Sequence, residues 1–307
     1  MKASRRAGTV AYVTVGVIWG MTFLFMRWAT DVVSPAQTAL IRVVFGALPV
    51  AVYALVRGHL SWSHWRHAHH FLAMSILAAA FYYYAFAVGT TLLETGIAGA
   101  LTGTIPLFAT VSASLMLADE RMNRGRAVGL VAGVGGVVLL AQPWDAGSVD
   151  LAGVGWMLAG CVFVGLSFPY ARRFITPLEI HPSAATTYQL VLGGILLLVV
   201  VDLDGITDVA DDPKALLGTV LGLGLLCTGI AFILYYVMVD GLGAATASTS
   251  SYLPPAVAMV VGIVALDEPI HASALAGLTL IGLGAFVSHR FGTAIDRTPV
   301  EVVVPER

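Results

Sequence analysis

AGALTGTIPLFATVSASLMLADERMNRGRAVGLVAGVGGVV (residues 98–138) and TASTSSYLPPAVAMVVGIVALDEPIHASALAGLTLIGLGAF (residues 246–286) are two copies of one pattern set 148 residues apart. Adding 148 carries Pro106 onto Pro254, Asp119 onto Asp267, Glu120 onto Glu268, Gly129 onto Gly277 and Gly136 onto Gly284 without a gap. Each copy holds two apolar stretches long enough to cross a bilayer. Duplicated spans with prolines inside them are the sequence pattern of bundles that bind at mid-membrane depth.

Composition agrees. Of 307 residues 58% are hydrophobic and 11% charged, with mean hydropathy +0.87, whereas a soluble domain carries about 25% charged residues. About 20 residues of helix cross the hydrocarbon core. Ten stretches qualify: 9–30, 36–56, 71–90, 97–118, 127–143, 152–173, 183–201, 215–238, 245–265 and 272–290. They are too long and continuous for barrel strands, so the fold expected is an all-α membrane protein. The first run outlasts a signal-peptide h-region and lacks a small-x-small cleavage site, so it reads as a retained span. Cys161 and Cys227 lie inside spans and suggest neither a metal site nor a disulfide framework.

Placing both termini in the cytoplasm puts thirteen of the sixteen Lys and Arg on that side; Arg27 and Lys214 fall near the other face and Arg42 within the second span. The opposite face carries an acidic loop with Asp202, Asp204, Asp208, Asp211 and Asp212, read as solvated. The duplication extends upstream: Pro35 and Gly46 match Pro182 and Gly193, while Gly20, Phe23 and Arg27 match Gly165, Phe168 and Arg172. The repeat is therefore five spans, an odd number, and the second copy must be inverted around a shared central cavity. The plan is a cytoplasmic amino terminus over 1–8, one five-helix repeat over 9–143, the inverted repeat over 152–290, and a disordered cytoplasmic tail over 291–307.

On these features the chain resembles the EamA-type family of the drug/metabolite transporter superfamily. Trp19-Gly20 with Phe23, Arg42, Pro106 followed by Asp119-Glu120, and Pro254 followed by Asp267-Glu268 carry the likeness, over residues 9–290. The resemblance implies ten helices, cytoplasmic termini, a central substrate cavity and, often, export of amino acids or other small metabolites. Two departures stand out. Gln189 occupies the position of Arg42 in the second copy, and Pro255 sits beside Pro254.

Among individual residues, Arg42 is the one charge placed well inside the apolar slab, seven residues or about 10 Å beyond Pro35. A charge there is costly and marks a functional site by default. It could grip a substrate carboxylate or phosphate, or be a structural Arg satisfied by carbonyls or by Glu94. Pro106 and Pro254 break their helices and free carbonyls, with Thr102, Thr104, Ser248, Ser250, Ser251 and Tyr252 close by as cavity lining or as packing. Trp19, too deep for an interfacial belt, shares a helix face with Phe23; Tyr84 and Tyr235 are further aromatic candidates. His64, His67, His69 and His70 read as a solvated loop, not a metal site, and the two Asp-Glu pairs as caps of the next helix or locks between loops.

No phosphate-binding loop is visible. The chain reads as a secondary transporter in the inner (cytoplasmic) membrane that exports a small metabolite by alternating access, with uptake or drug/nucleoside export by the same fold as the alternative; its partners are a small solute and the lipid bilayer and no nucleic acid. It needs no cofactor or metal and works as a monomer, with a dimer as the alternative. Spans without a deep carboxylate leave uniport, exchange, or coupling through an edge acid such as Glu94 or Asp240. An intramembrane transferase would need a catalytic constellation that the spans lack.

Overall fold

The computed structural model describes residues 3–144, 149–243, 246–247, 249–269 and 271–292. Ser248 and, from residue 293, the tail lie outside the described residues. Among the described residues ten helices are long and apolar enough to span a membrane: α1 (Arg5–Thr30), α2 (Pro35–Val56), α3 (Trp62–Leu92), α4 (Thr95–Met116), α5 (Arg124–Ala141), α6 (Leu151–Leu178), α7 (Pro182–Val200), α8 (Pro213–Leu242), α9 (Thr249–Leu266) and α10 (Ala272–Arg290). No strand occurs among the described residues.

Polar caps outside the apolar runs set where the helices begin. Ser34 and Gln37 form a reciprocal capping box on α2, and Ser4, Asn123, Asp150 and Asp212 accept first-turn amides of α1, α5, α6 and α8. For this reason α1, α6 and α8 outrun the apolar stretches. Helix α3 outruns its stretch most. Ser61 caps a tight turn over Trp62–His67, so His64 and His67 sit in that turn and His69 and His70 in the first helical turn. The four histidines do not form the free loop expected from sequence.

Eight helices close a ring in the order α4, α9, α1, α8, α2, α7, α3, α6 and back to α4. Exchanging the two halves carries α1·α8 onto α6·α3, α2·α8 onto α7·α3 and α1·α9 onto α6·α4, while α2·α7 and α4·α9 map onto themselves. The packing thus has the two-fold of the sequence repeat. Glu120 follows the last turn of α4, whereas the Glu268 carboxylate accepts from the backbone N–H of Thr95 (2.5 Å) and Gly96 (2.8 Å) at its first turn. The two Asp-Glu pairs therefore lie on opposite faces, and the repeats are inverted.

Helices α5 and α10 pair outside the ring, against α4. The duplicated glycines make that seam. A Cβ on Gly129 would stand 2.4 Å from the Gly284 carbonyl oxygen, and one on Gly136 would stand 2.7 Å from that of Gly277. Backbones this close gain dispersion and Cα–H···O contacts that larger side chains would forbid. Gly129→Val should lower the melting temperature of the detergent-solubilised protein, at a cost of about 1–3 kcal/mol. Gly155→Val, where a Cβ meets nothing within 4 Å, should leave it nearly unchanged.

Candidate functional site

The interior of the ring is built where the helices depart from regular geometry. Both copies carry a π-helical stretch at matching positions, Ile76–Ala80 in α3 and Leu217–Ile230 in α8. Such bulges free carbonyls that need donors. Thr228 Oγ1 donates to the Leu223 carbonyl (2.9 Å), and Gln189 Nε2 donates to the carbonyl of Ala78, the non-helical residue of α3 (3.1 Å). In α4 a tight turn over Thr102–Thr104 precedes Pro106, and Thr102 and Thr104 donate to the Gly99 and Leu101 carbonyls (2.6 and 2.7 Å). Those hydroxyls satisfy the break itself.

Arg42 lies at the centre, 2% exposed. Its Nε donates to Thr228 Oγ1 (3.1 Å), its guanidinium carbon stands 3.8 Å from the centre of the Tyr83 ring, and Nη1 has no partner. Glu94 does not reach it but faces His271 across the opposite end of the bundle (3.6 Å). Trp19 Nε1 donates to the Cys227 carbonyl (3.2 Å) and its ring sits 5.9 Å from that of Tyr235. Tyr82 packs edge-on to Phe86. Trp19, Tyr82 and Tyr235 lie within the ring beside Arg42 and are half-buried there.

Of the residues singled out from sequence, the structure brings Trp19, Arg42 and Tyr235 together. Phe23 is buried one turn further on, against Phe86 and Gly99. Tyr84 points instead at Trp156 of α6, 5.6 Å away, because Tyr82 and Tyr83 take the inward positions of that turn. Thr102 is buried; Pro106 is half-buried at the start of the second half of α4. Ser250 and Pro254 are buried in α9, and Ser251 is half-buried. Tyr252 donates to the Ala285 carbonyl of α10 (3.2 Å) and borders a lateral crevice with Gly103, Pro255 and Phe286, away from Arg42. The sequence reading allows one or two of the Tyr82–Tyr84 run to face inward and singles out Tyr84, whereas the structure turns Tyr82 and Tyr83 inward; nothing in the sequence marks Thr228 among many hydroxyls.

The two faces of the bundle are closed to different degrees. Away from the amino terminus, residues 95–104 of α4 are all buried, whereas from residue 105 to 116 only Leu107 is. On that opposite face the ends of α1 and α3 pack across the ring, with Arg27 Nη1 donating to the Thr90 carbonyl (3.2 Å), and Glu268 ties α9 to α4. The symmetry-related crossing of α6 and α8 on the amino-terminal face has no comparable packing. There the ties run along the ring: Arg172 pairs with Asp119 and Glu120 (2.5 and 2.9 Å), Arg126 pairs with Glu120, and His59 stacks on His181 at 3.5 Å. The ring is therefore tightly packed across one end and tied only along its rim at the other.

An inverted-repeat bundle of membrane spans with a buried charge inside and ends packed unequally is the architecture of a membrane transporter. A profile of the EamA-like transporter family matches residues 6–142 and 151–290. This chain belongs to that family. It is 22% identical over 269 residues to an uncharacterized transporter of Archaeoglobus fulgidus, covering 88% of this chain and 94% of the relative. To the uncharacterized transporter YoaV of Bacillus subtilis it is 24% identical over 279 residues, covering 90% and 94%. A solved structure shares the fold with a TM-score of 0.61 at 20% identity, covering 94% of this chain and 98% of the other.

The stacked pair gives a pH test. Burial and the charge of Arg57 hold His59 below the usual imidazole value; burial, His59 and Arg57 push His181 down to about 4. The folded protein keeps His181 neutral, so stability is unaffected above about pH 6.5 and falls as pH drops from there towards 4, where the unfolded chain takes the proton first. Melting temperature should decline over that window, and His181→Gln should flatten the decline.

Proposed function

We propose that this protein is a secondary transporter that moves a small amphipathic metabolite, an amino acid or related compound, out of the cytoplasm by alternating access. The reading places it in the inner (cytoplasmic) membrane with both termini inside, following the concentration of Lys and Arg on the amino-terminal face. The observation that carries it is a break in the two-fold packing across the ring, a crossing of α1 and α3 with no comparable counterpart between α6 and α8. Two packings related by the pseudo-two-fold are the two end states that rocking requires. On this reading the ring encloses a hollow beside Arg42 that opens towards the cytoplasmic side, the side on which an exported solute loads.

The side chains have clear parts in such a cycle. Trp19, Tyr82 and Tyr235 give the apolar body of a solute aromatic walls, and Arg42 with Thr228 gives its polar end a partner. Glu268 is the outer latch. Its carboxylate takes two N–H bonds at the start of α4, and Gly262 leaves the space for it, since a Cβ there would stand 2.2 Å from Oε2. Asp119 and Glu120, with Arg172, form the corresponding inner fastening.

Purified protein in liposomes tests the reading through counterflow of labelled amino acids and amphipathic acids. Solute-specific exchange is expected; product formation without flux would replace transport by catalysis. Hydrogen bonds to a charged group are each worth about 1.5–3 kcal/mol. Glu268→Gln should therefore raise labelling of a cysteine at Ala29, buried in the outer half of α1, by an impermeant maleimide about tenfold or more. Unchanged labelling would remove Glu268 from the gate.

A further inference from the structure

The hollow is one charge short. Arg42 is buried at mid-span with one hydrogen bond from Nε, an aromatic face against its guanidinium plane and an unpartnered Nη1. A buried cation without a counter-charge is expensive, and a structural arginine is ordinarily met by a carboxylate. None is at hand among the described residues. The Asp and Glu among them all lie in loops or at span ends, and Asp240, two residues before the end of α8, is the furthest into a span. Thr38, one turn before Arg42 on the same face of α2, is also fully buried and its Oγ1 has no partner. Two polar groups side by side thus wait for a ligand.

We infer that the solute supplies the missing charge: the site takes a monocarboxylate with an aromatic or apolar body, in preference to a zwitterion. This rests on the transport reading and, among its small amphipathic metabolites, selects the acid over the amino acid. The carboxylate would approach in the guanidinium plane and accept from Nη1, a donor that gives up no existing bond, while Tyr83 holds the face and Thr228 the Nε edge. An amino acid would bring an ammonium as well, for which the hollow offers aromatic faces and hydroxyls and no anion. A phosphate dianion would call for a second cation. Arg27 is the next basic side chain along these spans, and it is engaged by Asp31 (3.7 Å) and the Thr90 carbonyl. The pseudo-symmetric position holds neutral Gln189, whose amide is committed to Ala78, so the cavity has one anion anchor and binds its solute in one orientation.

The test is calorimetric binding of phenylacetate, phenylacetamide, phenylalanine and phenyl phosphate to the full-length protein in detergent. Phenylacetate should bind at least tenfold tighter than the other three. The gap between acid and amide should close as pH falls below the carboxylate pKa of the ligand, a readout that needs no variant. Arg42→Gln should reduce the gap to under threefold without lowering the melting temperature, and Arg42→Lys should retain part of it. Equal affinity for acid and amide in the wild type overturns the inference, as does a gap that survives in Arg42→Gln. Phenylalanine or phenyl phosphate binding as tightly as phenylacetate overturns it too. Flux separates the two levels. Transport of phenylalanine or the amide without preference for the acid sinks the anion site and leaves transport standing. Arg42-dependent binding with no flux does the reverse.

Discussion

The Glu268 carboxylate lies over the first two free amides of α4 and fixes more than its own loop. It joins the end of α9 in one repeat to the start of α4 in the other, so it fixes their antiparallel relation. It also closes the outer half of the bundle. A carboxylate at a helix start answers both the orphan donors and the positive end of the helix dipole. Gly262 is what lets the side chain turn inward far enough to do this. The first copy has Ser114 at that position, and there Glu120 turns to Arg126 and Arg172 instead. One small residue therefore separates a helix cap on one face from an ion-pair cluster on the other, and the bundle is asymmetric where its sequence is most nearly repeated.

Helix breaks follow the same economy. A hydrocarbon environment offers no water to an exposed carbonyl. Each irregularity in α3, α4 and α8 is accordingly met by a hydroxyl or amide close to it: Thr102 and Thr104 in α4, Thr228 in α8, Gln189 against α3. Several of the polar side chains at mid-depth thus complete the backbone. Arg42 is the exception, because its own donors outnumber the acceptors around it.

The ten spans, the inversion and the depth of Arg42 were legible because apolar length, an odd repeat number and charge in an apolar run are local properties of the chain. Gly129 and Gly277 could be paired by offset alone, and their backbone contact follows from having no side chain. Other features depend on rotation about a helix axis, which the sequence records poorly. Which of three consecutive tyrosines turns inward is settled by the π-helical stretch before them, and it selects Tyr82 and Tyr83 over Tyr84. Tyr252 sits beside its proline as expected but is drawn to a carbonyl on α10. The histidines beginning at His64 were read as a loop because they are polar, although Ser61 caps them into the start of α3.

The seam between α5 and α10 has one more consequence. Main chain meets main chain at the glycines there, with Leu140, Ile281 and Ser288 fitted beside them, so the two helices have little room to slide. It is a stiff rib on the flank of a pliable barrel. The compliance of the molecule is left to the underwound turns of α3 and α8 and the split in α4, the places around Arg42 and its neighbours. Bending and recognition thus share the same residues, and a solute that settles among them bears directly on the joints that must move.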